Sequence, residues 1–413
     1  MSALRDGWVV LAVSTAVNAL AWGARGSFAL FYVAMLAEFG WGRGATALGY
    51  SLSWLCFVVF APVAGWLHDR WGARVIVALG GLLLGLALAL TGRVTALPEY
   101  YLCFGVLGAA GTACILIPST TIVSRSFVES RGTAMGILSA ATPGGAVAFY
   151  PVNTWLIATL GWQRALVAFA CIVAVITVSL ALLYRVPQMA KRHSADGAAA
   201  ARSDSVSGVW TLRRALRSIR LWAAFAMTGL GVVGYQIMAT HQVAHAVDRG
   251  FRQAEVVWLF TFGAASMMAG NLLGGWLSDR LGRGWVFAAG SIVAILGIVC
   301  LALLKGPDDW PLLLVYTASG FGFGMRIAQL AAIPADAFSG PHLGTILGVV
   351  QAGGGLGGAI GPFLGGWLFD LTGNYRLAFT AAGVAVAGSA VAAWVAAAGK
   401  ASAQARNTLE SAA

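Results

Sequence analysis

Charge is what this chain has least of. Only 10% of its residues are Asp, Glu, Lys or Arg and 59% are hydrophobic, whereas a soluble domain carries about a quarter charged residues. A chain of 413 residues with that balance cannot cover a water-facing surface, so lipid is its solvent. Acid is scarcer than base, 15 residues against 26, and no Asp or Glu falls in the middle of an apolar run. The five cysteines, Cys56, Cys103, Cys114, Cys171 and Cys300, sit inside apolar runs without CxxC spacing and read as reduced core packing, not as a disulfide framework or metal site. No Gly-Lys-Ser/Thr phosphate loop, nucleophile–base pair or metal-ligating cluster can be assembled. An enzyme is therefore not expected, and neither is a cofactor or a metal. The net charge of +11 is not laid out as a basic stripe with interleaved aromatics, which argues against nucleic acid.

Long apolar runs are what the chain does have. Crossing about 30 Å of hydrocarbon takes about 20 helical residues. Twelve runs meet that need: 8–36, 44–68, 73–93, 97–124, 132–158, 162–184, 221–246, 254–278, 284–304, 310–332, 342–370 and 374–398, here spans 1 to 12. Met1 to Gly7 is too short to carry a cleavable leader, and span 1 is too long to be one, so span 1 is expected to stay as a helix. Six spans precede, and six follow, a polar segment at 185–220 rich in Ala, Ser and base, which reads as a linker with room for a short surface helix. The expectation is an all-α membrane protein with twelve transmembrane helices in two pseudo-symmetric six-helix bundles, 1–184 and 221–413, the second ending in a short tail. With the N-terminus inside, cytoplasmic segments hold 17 Lys and Arg and outside loops seven, which puts both termini and the linker in the cytoplasm. The two left over, Arg25 and Arg326, lie within the membrane.

The halves announce themselves in a repeat. Gly65-Trp-Leu-His-Asp69-Arg70-Trp-Gly72 returns 210 positions later as Gly275-Trp-Leu-Ser-Asp279-Arg280-Leu-Gly282, with six of eight residues identical, at the cytoplasmic ends of spans 2 and 8. Gly65 and Gly275 are expected to allow close helix contact. Asp69 and Asp279 are expected to meet the N-terminal dipole of a helix in the other half, with Arg70 and Arg280 pairing nearby acids as a latch. Ordinary stop-transfer charges are the other reading. The pattern G-x-L-x-D-R-x-G, with six plus six spans and a basic central loop, resembles the major facilitator superfamily over essentially the whole chain.

Finer motifs point within it. Arg5-Asp6-Gly7-Trp8 and Ala24-Arg25-Gly26-Ser27-Phe28-Ala-Leu-Phe31 in span 1, and Arg125-Ser-Phe127-Val-Glu-Ser-Arg131-Gly132-Thr-Ala134-Met-Gly136 leading into span 5, resemble monocarboxylate transporters and bacterial oxalate/formate-type exchangers. The resemblance implies that Arg25 serves a substrate carboxylate. The chain departs from the family in span 8, where Met267 and Asn271 stand in place of an Asp and an Arg, so proton coupling by that pair is not implied here.

Arg25 also argues for itself. It lies about 16 Å from the outer end of its span, too far to snorkel, and its side chain leans back toward the midplane. Asn18, Trp22, Arg25 and Tyr32 recur at helical spacing as one polar and aromatic face. A guanidinium there costs at least about 3 kcal/mol unless an anion or a protein partner compensates it. Arg326, in Gly320-Phe-Gly-Phe323-Gly-Met-Arg326, is the counterpart in the second half, with snorkelling as its alternative. Asn271 is a substrate hydrogen-bond donor or a helix-to-helix contact, Tyr150 a donor or a packing residue, and His241, one turn from His245, a proton relay or a satisfied core histidine. Two cations without acidic partners and no mid-span carboxylate predict an anionic passenger.

The function expected is secondary active transport of a small organic anion, a monocarboxylate or short dicarboxylate, by alternating access, with protons or a counter-anion as the coupled species. The chain is expected as a monomer in a bacterial cytoplasmic membrane. An efflux carrier for uncharged or amphiphilic molecules and a non-transporting sensor are the alternatives.

Overall fold

The computed structural model describes residues 2–127, 131–184, 210–338 and 343–410, apart from the side chains at 2–6, 125, 131–133, 279, 328, 331, 343–345 and 398–410. Among the described residues every regular element is a helix. Nine helices among the described residues are long and apolar enough to cross a membrane. One of them, Arg43–Thr91, is non-helical at Gly72 and so contains both span 2 and span 3. Arg131–Leu160 is span 5, and Trp310–Ala318 with Gly320–Ala337 is span 10, which completes the twelve. Residues 185–209 of the linker lie outside the described residues; Leu212–Leu216, a single turn, precedes span 7.

The last glycine of each repeat copy has a backbone reason. Gly72 (φ 80°, ψ 165°) and Gly282 (φ 89°, ψ 142°) adopt a region closed to residues with a Cβ, and each lets a helix end and the next begin without a loop. Gly40 and Gly250, also 210 apart, close spans 1 and 7 at φ 62° and 88°. The repeat is therefore a repeat of turns as well as of letters.

The halves meet along spans 2 and 11, spans 5 and 8, and where the second part of span 1, Phe28–Phe39, meets span 7. Glycine sets how closely helices approach, as small residues do where lipid supplies no hydrophobic drive. A Cβ on Gly145 of span 5 would lie 2.3 Å from the Ala19 carbonyl oxygen and 2.6 Å from Gly23 N of span 1. A Cβ on Gly357 of span 11 would lie 2.3 Å from the Gly229 carbonyl oxygen of span 7. These contacts join helices of one half. Only some span 11 glycines face the other half: Gly355 meets Val58, Gly358 meets Trp54 and Gly366 meets Arg43. The repeat's leading glycine needs correcting, because a Cβ on Gly65 would stand 3.7 Å from Ile117, an ordinary distance. In span 8 the tight position is Gly274, beside Gly275, where a Cβ would reach within 2.7 Å of Met325 Cα.

Candidate substrate-binding site

Where the halves face each other they enclose a cavity of about 200 Å³, walled by spans 1, 2, 5, 7, 8 and 10. Arg25 and Arg326 both line it. Each is almost wholly buried, 6% and 3% exposed, and no described carboxylate pairs with either. Arg25 donates from an Nη to Ser53 Oγ at 3.3 Å, and its guanidinium carbon lies 4.5 Å from the Trp54 ring centre and 5.6 Å from that of Tyr50. Arg326 donates to Ser389 Oγ at 3.0 Å and lies 4.8 Å from the Phe287 ring centre. Hydroxyls and ring faces stabilise a cation only in part. The Nε–H of each arginine is buried with no acceptor, so both keep donor capacity in a place where an unmet donor is costly.

The rest of the wall is aromatic and polar. Tyr150 lines the cavity, and with it stand Tyr50, Trp54, Tyr235, Gln236, Thr240 and Phe323. Tyr235 is the residue 210 positions after Arg25, a signal the repeat carried and that charge-based reading passed over. Gln236 Nε2, Thr240 Oγ1 and Trp54 Nε1 are buried without partners. A smaller chamber of about 70 Å³, lined by Gln242 and Tyr316, shares Tyr150, Tyr235 and Met267 with the first.

Three expected site residues stand elsewhere. Span 1 breaks at Ser27 into Ser2–Gly26 and Phe28–Phe39, so the face drawn through Trp22 and Arg25 does not continue to Tyr32. Tyr32 is buried beyond the cavity and donates to the Arg43 carbonyl at 3.0 Å, its ring edge-on to His241. His241 bonds the Pro362 carbonyl through Nε2 at 2.9 Å and meets the Tyr375 hydroxyl through Nδ1 at 3.3 Å, a fully engaged core histidine. His245 bonds the Leu301 carbonyl at 3.0 Å. Asn271 donates to Ser139 Oγ at 3.4 Å, a contact between spans 8 and 5, and it is Met267, one turn earlier, that reaches the cavity.

Tyr32 and His241 belong instead to a seal centred on Arg43, at the end of span 2 away from the repeat, a residue legible from the sequence only as a loop charge. Asp370, at the end of span 11, accepts from the backbone N–H groups of Arg43 and Gly44 at 2.9 and 2.7 Å. A carboxylate from one half thus caps the first turn of a helix in the other. The Arg43 guanidinium donates to Tyr375 at 2.6 Å and to Asp248 at 2.8 Å, 3.9 Å from the Phe369 ring centre. Gln253, the 210-offset counterpart of Arg43, donates across to the Leu30 carbonyl at 3.4 Å.

In the repeat, the described side chains place the two arginines. Arg70 and Arg280 are exposed, and each covers the tryptophan one turn back, 5.7 Å from the Trp66 ring centre and 4.0 Å from that of Trp276. Among the described residues these stacks stand in place of the expected acid pairs. Asp69 is exposed, and the side chain of Asp279 lies outside the described residues.

Residues 11–253 and again 237–411 match the family model described as Major Facilitator Superfamily. The chain belongs to the Major Facilitator Superfamily. Monocarboxylate transporter 11 of Mus musculus is 30% identical over 392 residues, covering 90% of this chain and 83% of the mouse protein. Monocarboxylate transporter 13 of Bos taurus is 28% identical over 399 residues, covering 93% and 88%. Among solved structures, a bacterial homologue of the human lysosomal transporter Spinster, in an inward-facing and occupied conformation, superposes with a TM-score of 0.73 at 15% identity, over 94% of this chain and 95% of that one. The nucleoside transporter NupG, in a mutant form, gives 0.73 at 15% identity over 95% and 99%. This facilitator is accordingly a multi-pass membrane transporter, with the twelve-helix fold its sequence predicts.

Proposed function

We propose that this facilitator carries a small organic anion, a monocarboxylate or short dicarboxylate, by alternating access. The observation that carries the proposal is the pair Arg25 and Arg326: two buried guanidiniums on one cavity, without a described acid, each with an unmet Nε donor. An anion entering between them supplies the missing charge and acceptors, and charge-assisted hydrogen bonds are the strong ones. Arg25 holds the carboxylate from the first half, Arg326 addresses a second oxygen from the other, and Tyr150 donates from span 5. Rocking of the bundles 1–184 and 221–413 about this point exposes it to one face at a time. His241, engaged by Pro362 and Tyr375 and not among the lining residues, favours coupling to a counter-anion or to the passenger's own gradient over a histidine relay. The charge bias of the loops supports a cytoplasmic membrane with both termini inside, and the resemblance to bacterial exchangers supports a bacterial one. The names of the relatives, monocarboxylate transporters, agree with this reading.

The test is uptake of organic acids by cells or vesicles carrying the wild type or Arg25→Ala. The variant is expected in the membrane at normal level with uptake at background. Uptake at the wild-type rate would take Arg25 out of the site.

A further inference from the structure

The cavity bears on the passenger's shape as well as its charge. It measures about 200 Å³, and an apolar cavity of about 150 Å³ is enough to admit a benzene ring. Its wall is dominated by Trp22, Phe28, Trp54, Tyr150, Tyr235 and Phe323. A one- to three-carbon acid seated on Arg25 would leave most of that wall facing water, whereas a ring fills the space and buries it.

The unmet donors mark the two ends of such a passenger. On the first half, Arg25 Nε and Trp54 Nε1 are both buried without acceptors, with the guanidinium carbon 4.5 Å from the Trp54 ring centre. Each of these N–H groups is a donor that a carboxylate oxygen can satisfy. On the second half, Gln236 and Thr240, one turn apart on span 7, line the same cavity, and their buried, unpartnered Nε2 and Oγ1 atoms are the groups closest in kind to what an oxygen on the far side of the ring needs. Trp54 is held firmly: a Cβ on Gly358 of span 11 would come within 2.4 Å of its ring, so only glycine lets the other half close against it.

We propose that the passenger is an aromatic carboxylate, with its carboxylate on Arg25 and Trp54 and its ring between the aromatic walls, and that Trp54 contacts substrate. This rests on the organic-anion reading and narrows it.

The test is equilibrium binding to the purified full chain of benzoate, phenylacetate and indole-3-acetate against formate, acetate and lactate, with phenylacetamide as the uncharged ring. Ring acids are expected to bind about tenfold or more tighter than acetate, and phenylacetate about tenfold or more tighter than its amide. Ala239→Leu and, separately, Ala146→Leu fill cavity-lining positions. Either variant that melts like the wild type should lose about tenfold on the ring acids and little on acetate. Trp54→Phe should weaken every acid while keeping the preference for rings, because it removes the N–H and leaves an aromatic wall. Acetate or lactate binding as well as the ring acids would overturn this inference and leave the anion reading standing. The amide binding as well as the acid would overturn the anion reading, and this inference with it.

Discussion

At the residue scale, the behaviour of Arg25 depends on a planar donor fork packed among rings. Arg25→Lys keeps the charge but loses the fork and the stacking on Trp54. Its affinity for a carboxylate should fall about tenfold in a binding titration, with the melting temperature nearly unchanged. Asn271→Ala removes one long interhelical hydrogen bond, worth about 0.6 kcal/mol. It should transport within a few-fold of wild type, and a loss as deep as that of Arg25→Ala would return Asn271 to the site. Arg25 and Arg326 were legible in the sequence because a cation in an apolar run has so few physical excuses. Tyr32 was misplaced because helical spacing was projected past the break at Ser27, which no single residue there advertises; His241 could be read as relay or as core histidine because its partners Pro362 and Tyr375 lie more than a hundred positions away. Arg43 was missed because its partners Asp248 and Asp370 lie 205 and 327 positions away, a distance over which local pattern carries nothing.

At the element scale, the ends of the halves around Arg43 are held by a helix start, a carboxylate and a close backbone approach. A Cβ on Gly366 would lie 2.6 Å from the Arg43 carbonyl oxygen, so Gly366→Ala should prevent spans 2 and 11 from closing. Asp370→Ala should loosen the same contact by uncapping span 2. The measurement is labelling from outside by a membrane-impermeant thiol reagent of a cysteine placed at Ala29, with the five native cysteines replaced. Both variants should label faster than the parent, and labelling no faster than the parent would show that the seal is not held here. Gly145→Ala tests packing within one half: its Cβ would meet the Ala19 carbonyl oxygen at 2.3 Å, and overpacking of this kind costs about 1–3 kcal/mol, read as a lower melting temperature. The sequence shows spans 5 and 11 to be rich in glycine; it does not show which neighbours these glycines pack against, because a glycine has no side chain with a preferred direction to read.

At the scale of the whole molecule, the 210-residue offset predicts the two bundles, and the offset reappears in the paired turns at Gly72 and Gly282 and in Arg25 opposite Tyr235. What the offset cannot specify is which face is closed, since alternating access requires one sequence to support both. Among the described residues the hydrogen bonds between halves gather around Arg43, Leu30 and Ser51, with Asn271 to Ser139 joining spans 8 and 5. If one anion bridges Arg25 and Arg326, the two residues act as a unit. A double-mutant cycle on carboxylate affinity should then give a coupling energy of about 1 kcal/mol or more, whereas additive losses would mean the arginines serve separate purposes.

The most direct measurement compares uptake of a carboxylate and of its neutral amide into proteoliposomes containing the wild type or Arg25→Ala. The account predicts that the wild type accumulates the acid and ignores the amide, and that the variant carries neither. Equal uptake of acid and amide, or undiminished uptake of the acid by the variant, would contradict it.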